Sequence, residues 1–151
     1  MSRKHNSKTV KLNRNYNQRQ ALFKNQLIAL IQHGQISTTL AKAKVIKRMF
    51  DSLTSKAVAG TLSKRRSIAA SLSNPKAANR LVDLIAPTMK DRTSGFTTIK
   101  KTSIRRGDAT PIATLSLIVP LPEPTPIEDK KAPQKAAKAA PKKETKKTTS
   151  K

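Results

Sequence analysis

The residue types that run acid–base or nucleophilic chemistry are scarce in this chain of 151 residues. The only histidines are His5 and His33, and neither has a carboxylate nearby in sequence. Cysteine is absent, which removes thiolate nucleophiles, thiolate metal sites and disulfides. Ahead of Pro120 the carboxylates are Asp51, Asp83, Asp91 and Asp108 alone. Asp108 follows Gly107 and reads as a turn residue rather than a catalyst. No phosphate-binding glycine loop, dinucleotide fingerprint or metal-ligand spacing occurs. Neither an enzymatic activity, a metal, a cofactor nor a small-molecule substrate is therefore expected. What is abundant is the chemistry of phosphate recognition. The chain carries 32 Lys and Arg against 8 Asp and Glu, a formal charge of +24.

The cations begin at once. Arg3, Lys4, His5, Lys8, Lys11, Arg14, Arg19 and Lys24 stand in the first 25 residues, with Asn13, Asn15 and Asn25 among them and no acid at all. Amide side chains both donate and accept hydrogen bonds. With almost no large apolar residue before Leu22, this arm cannot order itself by burial and needs an anion to fold around. Lys42, Lys44, Arg65, Arg66, Arg105 and Arg106 continue the basic character further along.

Charge of this density repels itself, and a polyanion relieves the repulsion. Nucleic acid does so through counterion release. The zinc ligands and basic leucine-zipper heptads of DNA readers are missing. Tyr16 and Phe96 are too few to form a base-stacking platform. Phosphate and shape recognition remains, and it suits a folded RNA better than a regular duplex groove. The alternative is a nucleoid-type DNA-binding architectural protein, although no dimer seam or wedge arm is evident. A membrane partner is disfavoured by the absence of Trp and the small number of Phe. Apolar runs such as Leu27–Ile31 are too short to span a bilayer. Without an apolar signal-peptide segment, the expected compartment is the cytoplasm.

The length suits one domain. Leu22, Phe23, Leu27, Leu30 and Ile31 recur at helical spacing ahead of Gly34, predicting a helix from about Asn15 to His33. Ile36–Leu40 is a short β-prone piece. Ile46, Met49, Phe50, Leu53 and Ala57 form one face of a second helix starting near Leu40. A short third helix carries Ile68, Ala69 and Leu72. Asn74-Pro75 is an N-cap followed by proline at the first helical position, and it opens a fourth. The buried stripe of that helix is expected to be Ala77, Ala78, Leu81, Leu84 and Ile85, with Pro87 ending it. From Ser94 the β-branched stretches Phe96–Ile99 and Ile112–Val119 flank Arg105-Arg106-Gly107-Asp108, predicting an antiparallel hairpin with a projecting basic loop. The expected fold is α+β in two layers: about four helices on a small, mixed sheet of about three strands.

Three regions follow: a basic extended arm over residues 1–14, an α/β body over 15–119 and a tail over 120–151. The tail alternates proline with other residues and then turns to Lys, Ala and Thr, a composition that predicts disorder. Its nine Lys and four acids leave +5 there, and 23 basic against 4 acidic residues leave +19 on residues 1–119. The excess charge belongs to the arm and body, not to an appended tag.

Several blocks then match one family in order. Lys11-Leu12-Asn13-Arg14-Asn15, Arg19-Gln20-Ala21-Leu22-Phe23-Lys24-Asn25 and Thr38-Thr39-Leu40-Ala41-Lys42-Ala43-Lys44 closely resemble bacterial large-subunit ribosomal protein seventeen. So do Ser94-Gly95-Phe96-Thr97 and Arg106-Gly107-Asp108-Ala109-Thr110-Pro111. The match spans roughly residues 2–119. Ala41 replaces a common proline, Gln18 a frequent histidine and Ser94 a usual glycine. The resemblance implies a two-layer α/β domain bound to large-subunit ribosomal RNA near the peptide exit region. It also implies neighbouring large-subunit proteins as partners, and no catalysis.

Overall fold

Several helix boundaries follow from local signals. The computed structural model describes residues 10–121. Helix α1, Tyr16–His33, stops where Gly34 turns left-handed (φ 74°) and its N–H reaches the Leu30 carbonyl at 2.8 Å. Glycine is favoured there mainly by its backbone. A left-handed φ disfavours any Cβ, and a Cβ at Gly34 would stand 2.9 Å from Leu121 Cδ1. Strand β1 (Gln35–Thr39) leads directly into α2 (Leu40–Val58). Helix α3 (Leu62–Leu72) is capped by Thr61, whose hydroxyl accepts from the Lys64 N–H at 3.4 Å. Helix α4 opens at Pro75–Arg80, with Asn74 Oδ1 accepting from the Ala77 N–H at 3.1 Å.

One turn of α4, Leu81–Ile85, is wound as π-helix before the helix finishes at Ala86–Thr88. Proline at 87 has no N–H to offer Asp83 and its ring crowds that carbonyl, so the ladder departs from α-helical spacing here. Two expectations change as a result. The helix runs one residue past Pro87 instead of stopping at it. Leu84, expected in the buried stripe, is 45% exposed, because the widened turn rotates it away from the register of Ala77, Ala78, Leu81 and Ile85.

Strands β2 (Thr97–Ile104) and β3 (Pro111–Leu117) form the hairpin, and the sheet order is β1-β3-β2. Both pairings are antiparallel, with Gln35 opposite Ser116 and Thr97 opposite Leu117. The sheet is therefore not mixed. Strands β1 and β2 run in the same direction but are separated by β3, so no parallel pair arises. An irregularity between Lys101 and Ser103 shifts the β2 register.

Alternation in β3 buries Ala113, Leu115 and Leu117 on one face. They join one cluster with Leu27, Leu30 and Ile31 of α1 and with Ile46, Phe50 and Leu53 of α2. This is the expected two-layer α+β arrangement of helices on a small sheet. Phe96, ahead of β2, is also fully enclosed, and its N–H donates to Asp51 Oδ1 at 3.1 Å. That bond ties α2 to the entry of the hairpin. Partial burial raises the pKa of the Asp51 carboxyl, opposed by the Phe96 N–H and by Lys47.

The described end of the arm is turned rather than extended. Leu12 and Asn13 are left-handed (φ 51° and 52°), and the Arg14 N–H reaches the Lys11 carbonyl at 3.2 Å. Leu12 is half-buried against the core, an apolar anchor within a cationic segment. Arg3, Lys4, His5 and Lys8 lie outside the described residues, as does the tail beyond Leu121.

Candidate nucleic-acid interface

A row of cations follows from helical geometry. Lys44, Arg48, Ser52 and Lys56 are spaced by four on α2 and therefore share one face. Facing them across the α1–α2 seam are Arg19, Gln20 and Lys24 of α1. Two adjoining concavities run along this seam, a third continues from them between α2, Val10 and Pro111, and Arg48 lines all three. Lys44 borders the end near Pro111, Arg19 the middle, and Lys24 with Lys56 the far end. The floor is apolar, formed by Phe23, Leu27, Val45 and Met49. A groove with cationic rims and an apolar floor can hold a phosphate backbone along its edges.

The fold holds two of the rim groups in place. Arg19 Nη1 donates to the carbonyls of Arg14 (3.0 Å) and Lys11 (3.5 Å), so this guanidinium clips the arm's turn to α1. Its Cζ also sits 5.8 Å from the Tyr16 ring centroid, a cation–π distance. Lys24 Nζ donates to Ser73 Oγ at 2.7 Å, linking α1 to the α3–α4 junction. Lys11, Asn13, Arg14 and Asn15 are exposed around the arm's turn, and Asn25 is exposed on α1. Asn15 is the N-cap residue of α1 but makes no side-chain cap bond. Lys42 is half-buried on α2.

The remaining predicted residues lie on other elements. Arg65 of α3 is paired with Asp83 and also donates to Asn79 Oδ1 at 3.3 Å, whereas Arg66 is exposed. In the β2–β3 loop Arg105 grips Asp108 with two bonds, Nε to Oδ1 at 3.0 Å and Nη2 to Oδ2 at 2.5 Å. Asp108 also accepts from Thr110 Oγ1 at 2.7 Å and from the Thr110 N–H at 3.3 Å. These bonds, led by the one from Arg105, hold the Asp108 carboxyl well below the usual carboxylate range. The same pairing raises the pKa of Arg105. Asp108 is thus the turn residue that fixes the loop, and Arg106 is left exposed at its tip.

The structure brings Arg19 and Lys24 of the predicted set to the α1–α2 seam, with Lys44 on the adjoining concavity, and adds Arg48 and Lys56 to them. The spacing of four from Lys44 is the signal that identifies both. Among the described residues only two ion pairs form, Arg65–Asp83 and Arg105–Asp108. Within the same residues no group of His, Cys, Asp or Glu could hold a metal ion, and no helix is long and apolar enough to cross a membrane.

Helices over a three-stranded antiparallel sheet, with cations lining a helix seam, define a small, strongly basic α+β domain. The chain belongs to the ribosomal protein L17 family, whose model, described as "Ribosomal protein L17", matches residues 22–118. It is similar to "Large ribosomal subunit protein bL17" of Campylobacter jejuni subsp. doylei, 45% identical over 108 residues that cover 72% of this chain and 92% of that protein. The protein of that name in Sulfurovum sp. is 43% identical, covering 72% of this chain and 93% of its own length. The one in Wolinella succinogenes is 41% identical over 115 residues, covering 76% and 99%. Family membership makes this a structural ribosomal protein and not an enzyme.

Proposed function

We propose that the chain is a structural constituent of the large ribosomal subunit in the cytoplasm. It holds large-subunit ribosomal RNA through phosphate and shape contacts near the peptide exit region, beside other large-subunit proteins. The observation that carries the RNA reading is the run of concavities along α2, where Arg48 and Lys56 face Arg19 and Lys24 across the α1–α2 seam and Lys44 borders the extension beside Val10 and Pro111. None of these five is in an ion pair among the described residues. Membership in a ribosomal family supplies the identity of the anion. In this reading residues 1–14 are an arm that extends the contact surface of the body at 15–119, and residues 120–151 form an appended tail.

Sucrose-gradient sedimentation of lysate containing the tagged full chain tests the proposal. The chain is expected to travel with large subunits and to leave them as salt is raised. With about six to ten phosphates contacted, affinity for isolated RNA should fall roughly a thousandfold or more between 50 and 200 mM salt. Migration with DNA instead of subunits would overturn the ribosomal reading and favour the nucleoid alternative. Crosslinks to RNA and proteins away from the peptide exit would refute the placement alone.

A further inference from the structure

The apolar middle of the α1–α2 groove is more than phosphate contact requires. Between the arm's turn and the two helices lies a cavity of about 470 Å³, within the range of small-molecule sites. Phe23, Val45 and Met49 form its apolar wall, and Tyr16, Arg19 and Arg48 border it. Tyr16 is 66% exposed. A single exposed aromatic residue is ordinary on a protein surface. This one differs in its setting, because the guanidinium of Arg19 lies over the ring and is itself held by two backbone carbonyls. That contact restrains the ring from one side. The other aromatic candidate, Phe96, is enclosed in the core and can stack with nothing outside. One exposed ring beside one apolar cavity fits one base, not a run of bases.

We propose that this cavity takes a single unpaired nucleotide of the bound RNA, its base stacked on Tyr16 and its phosphate facing Arg48. The inference rests on the RNA-binding reading above and narrows it to a single-base site. A wall of Phe23, Val45 and Met49 offers apolar contact to any base, so the site selects for an unpaired nucleotide rather than for a sequence. A paired stem cannot supply one. Stacking on Tyr16 therefore distinguishes a bulge or loop from a continuous helix, which phosphate contacts alone do not do.

The test uses the full chain and three RNA hairpins. One is fully paired, one carries a single bulged adenosine, and one carries an abasic nucleotide at the same bulge. The abasic probe keeps phosphate count and backbone shape while removing the base. Tyr16 is the sole tyrosine and the chain has no tryptophan, so intrinsic emission reports on this ring alone. The adenosine bulge should quench that emission and bind roughly five- to a hundredfold more tightly than the abasic one. Tyr16→Ala should erase the preference, Tyr16→Phe should keep it, and both should remain folded, unfolding within a few degrees of wild type. Equal binding and equal quenching by the two bulged hairpins would overturn the pocket, as would a preference that survives Tyr16→Ala. Failure to bind any hairpin in a salt-dependent way would instead sink the underlying RNA reading.

Discussion

If Lys44, Arg48 and Lys56 meet phosphates, removing them has a calculable signature. The three lie on one row of α2 and span twelve residues, about 18 Å of helix axis. Lys44 and Arg48 are exposed and Lys56 is half-buried, so a triple alanine variant removes charge without opening the core. Each neutralised phosphate contributes about 0.9 to the slope of log affinity against log salt, so three should remove roughly 2.7. Over the fourfold range from 50 to 200 mM, wild type should then lose about fortyfold more affinity than the variant. Fluorescence anisotropy with a labelled fragment of large-subunit RNA at several salt concentrations measures this directly. The control is Lys76, Lys90 and Arg92 changed together to alanine. All three are exposed, and none lines the groove. Net charge falls equally in both variants. Equal changes in slope would refute a groove-specific contact and leave only a diffuse field of positive charge.

Three further outcomes follow from the fold. Gly34→Ala should cost roughly 1–2 kcal/mol through its left-handed backbone, with only a small addition as the Leu121 side chain shifts away from the new Cβ. Gly60→Ala shares the positive φ (69°) but meets only Val58 O at 3.8 Å, so thermal unfolding should rank it as the milder change. Phe50→Ala, at a site with no exposure, should cost about 3–5 kcal/mol. Leu84→Ala should cost far less in the same denaturation series because Leu84 stands outside the stripe, and a comparable loss would contradict its position. Titration of the carboxyl carbons by NMR should place Asp51 above and Asp108 below the ordinary value of 3.8. The signs then oppose each other. Asp108, with its folded pKa depressed, contributes stability that is present above the unfolded pKa and is lost as pH falls towards the folded one. Asp51, with its folded pKa raised, favours the folded state at low pH and loses that advantage as pH climbs through the window above 3.8. A reversed order of titration would refute both assignments.

The helices were readable because their signals are local. Phe23, Leu27, Leu30 and Ile31 ahead of Gly34 set α1, and Asn74-Pro75 set the start of α4, through bonds that span four residues or fewer. The π turn was not readable, since Leu84 sits at a sound α-helical position until Pro87 forces the ladder wider. Sheet direction was also beyond periodicity. Whether β1 pairs with β2 or β3 depends on contacts between residues far apart in sequence, such as Thr38 with Ala113, whose directions no local pattern encodes. The interface divides the same way. Charge density was plain from composition, and the i, i+4 row could have named Arg48 and Lys56. That Arg19 would clip a turn containing left-handed Leu12 and Asn13 depends on the tertiary placement of the arm.

The few acids stand at architectural joints. Three of the four carboxylates before the tail are engaged within the fold: Asp51 with the Phe96 N–H, Asp83 with Arg65, and Asp108 with Arg105 and Thr110. Each joins elements or closes a loop, so their placement supports architecture and does not screen the groove. Had they been interleaved with Lys44, Arg48 and Lys56, i, i+4 pairing would have steadied α2 and neutralised the surface at the same time. Leaving that row without acids keeps the repulsion among like charges and allows a phosphate backbone to relieve it. Substituting Ser52, which lies between Arg48 and Lys56, with glutamate should therefore raise the unfolding temperature of the free protein while weakening RNA binding. A variant that gained stability and kept full affinity would show that the groove does not meet the backbone.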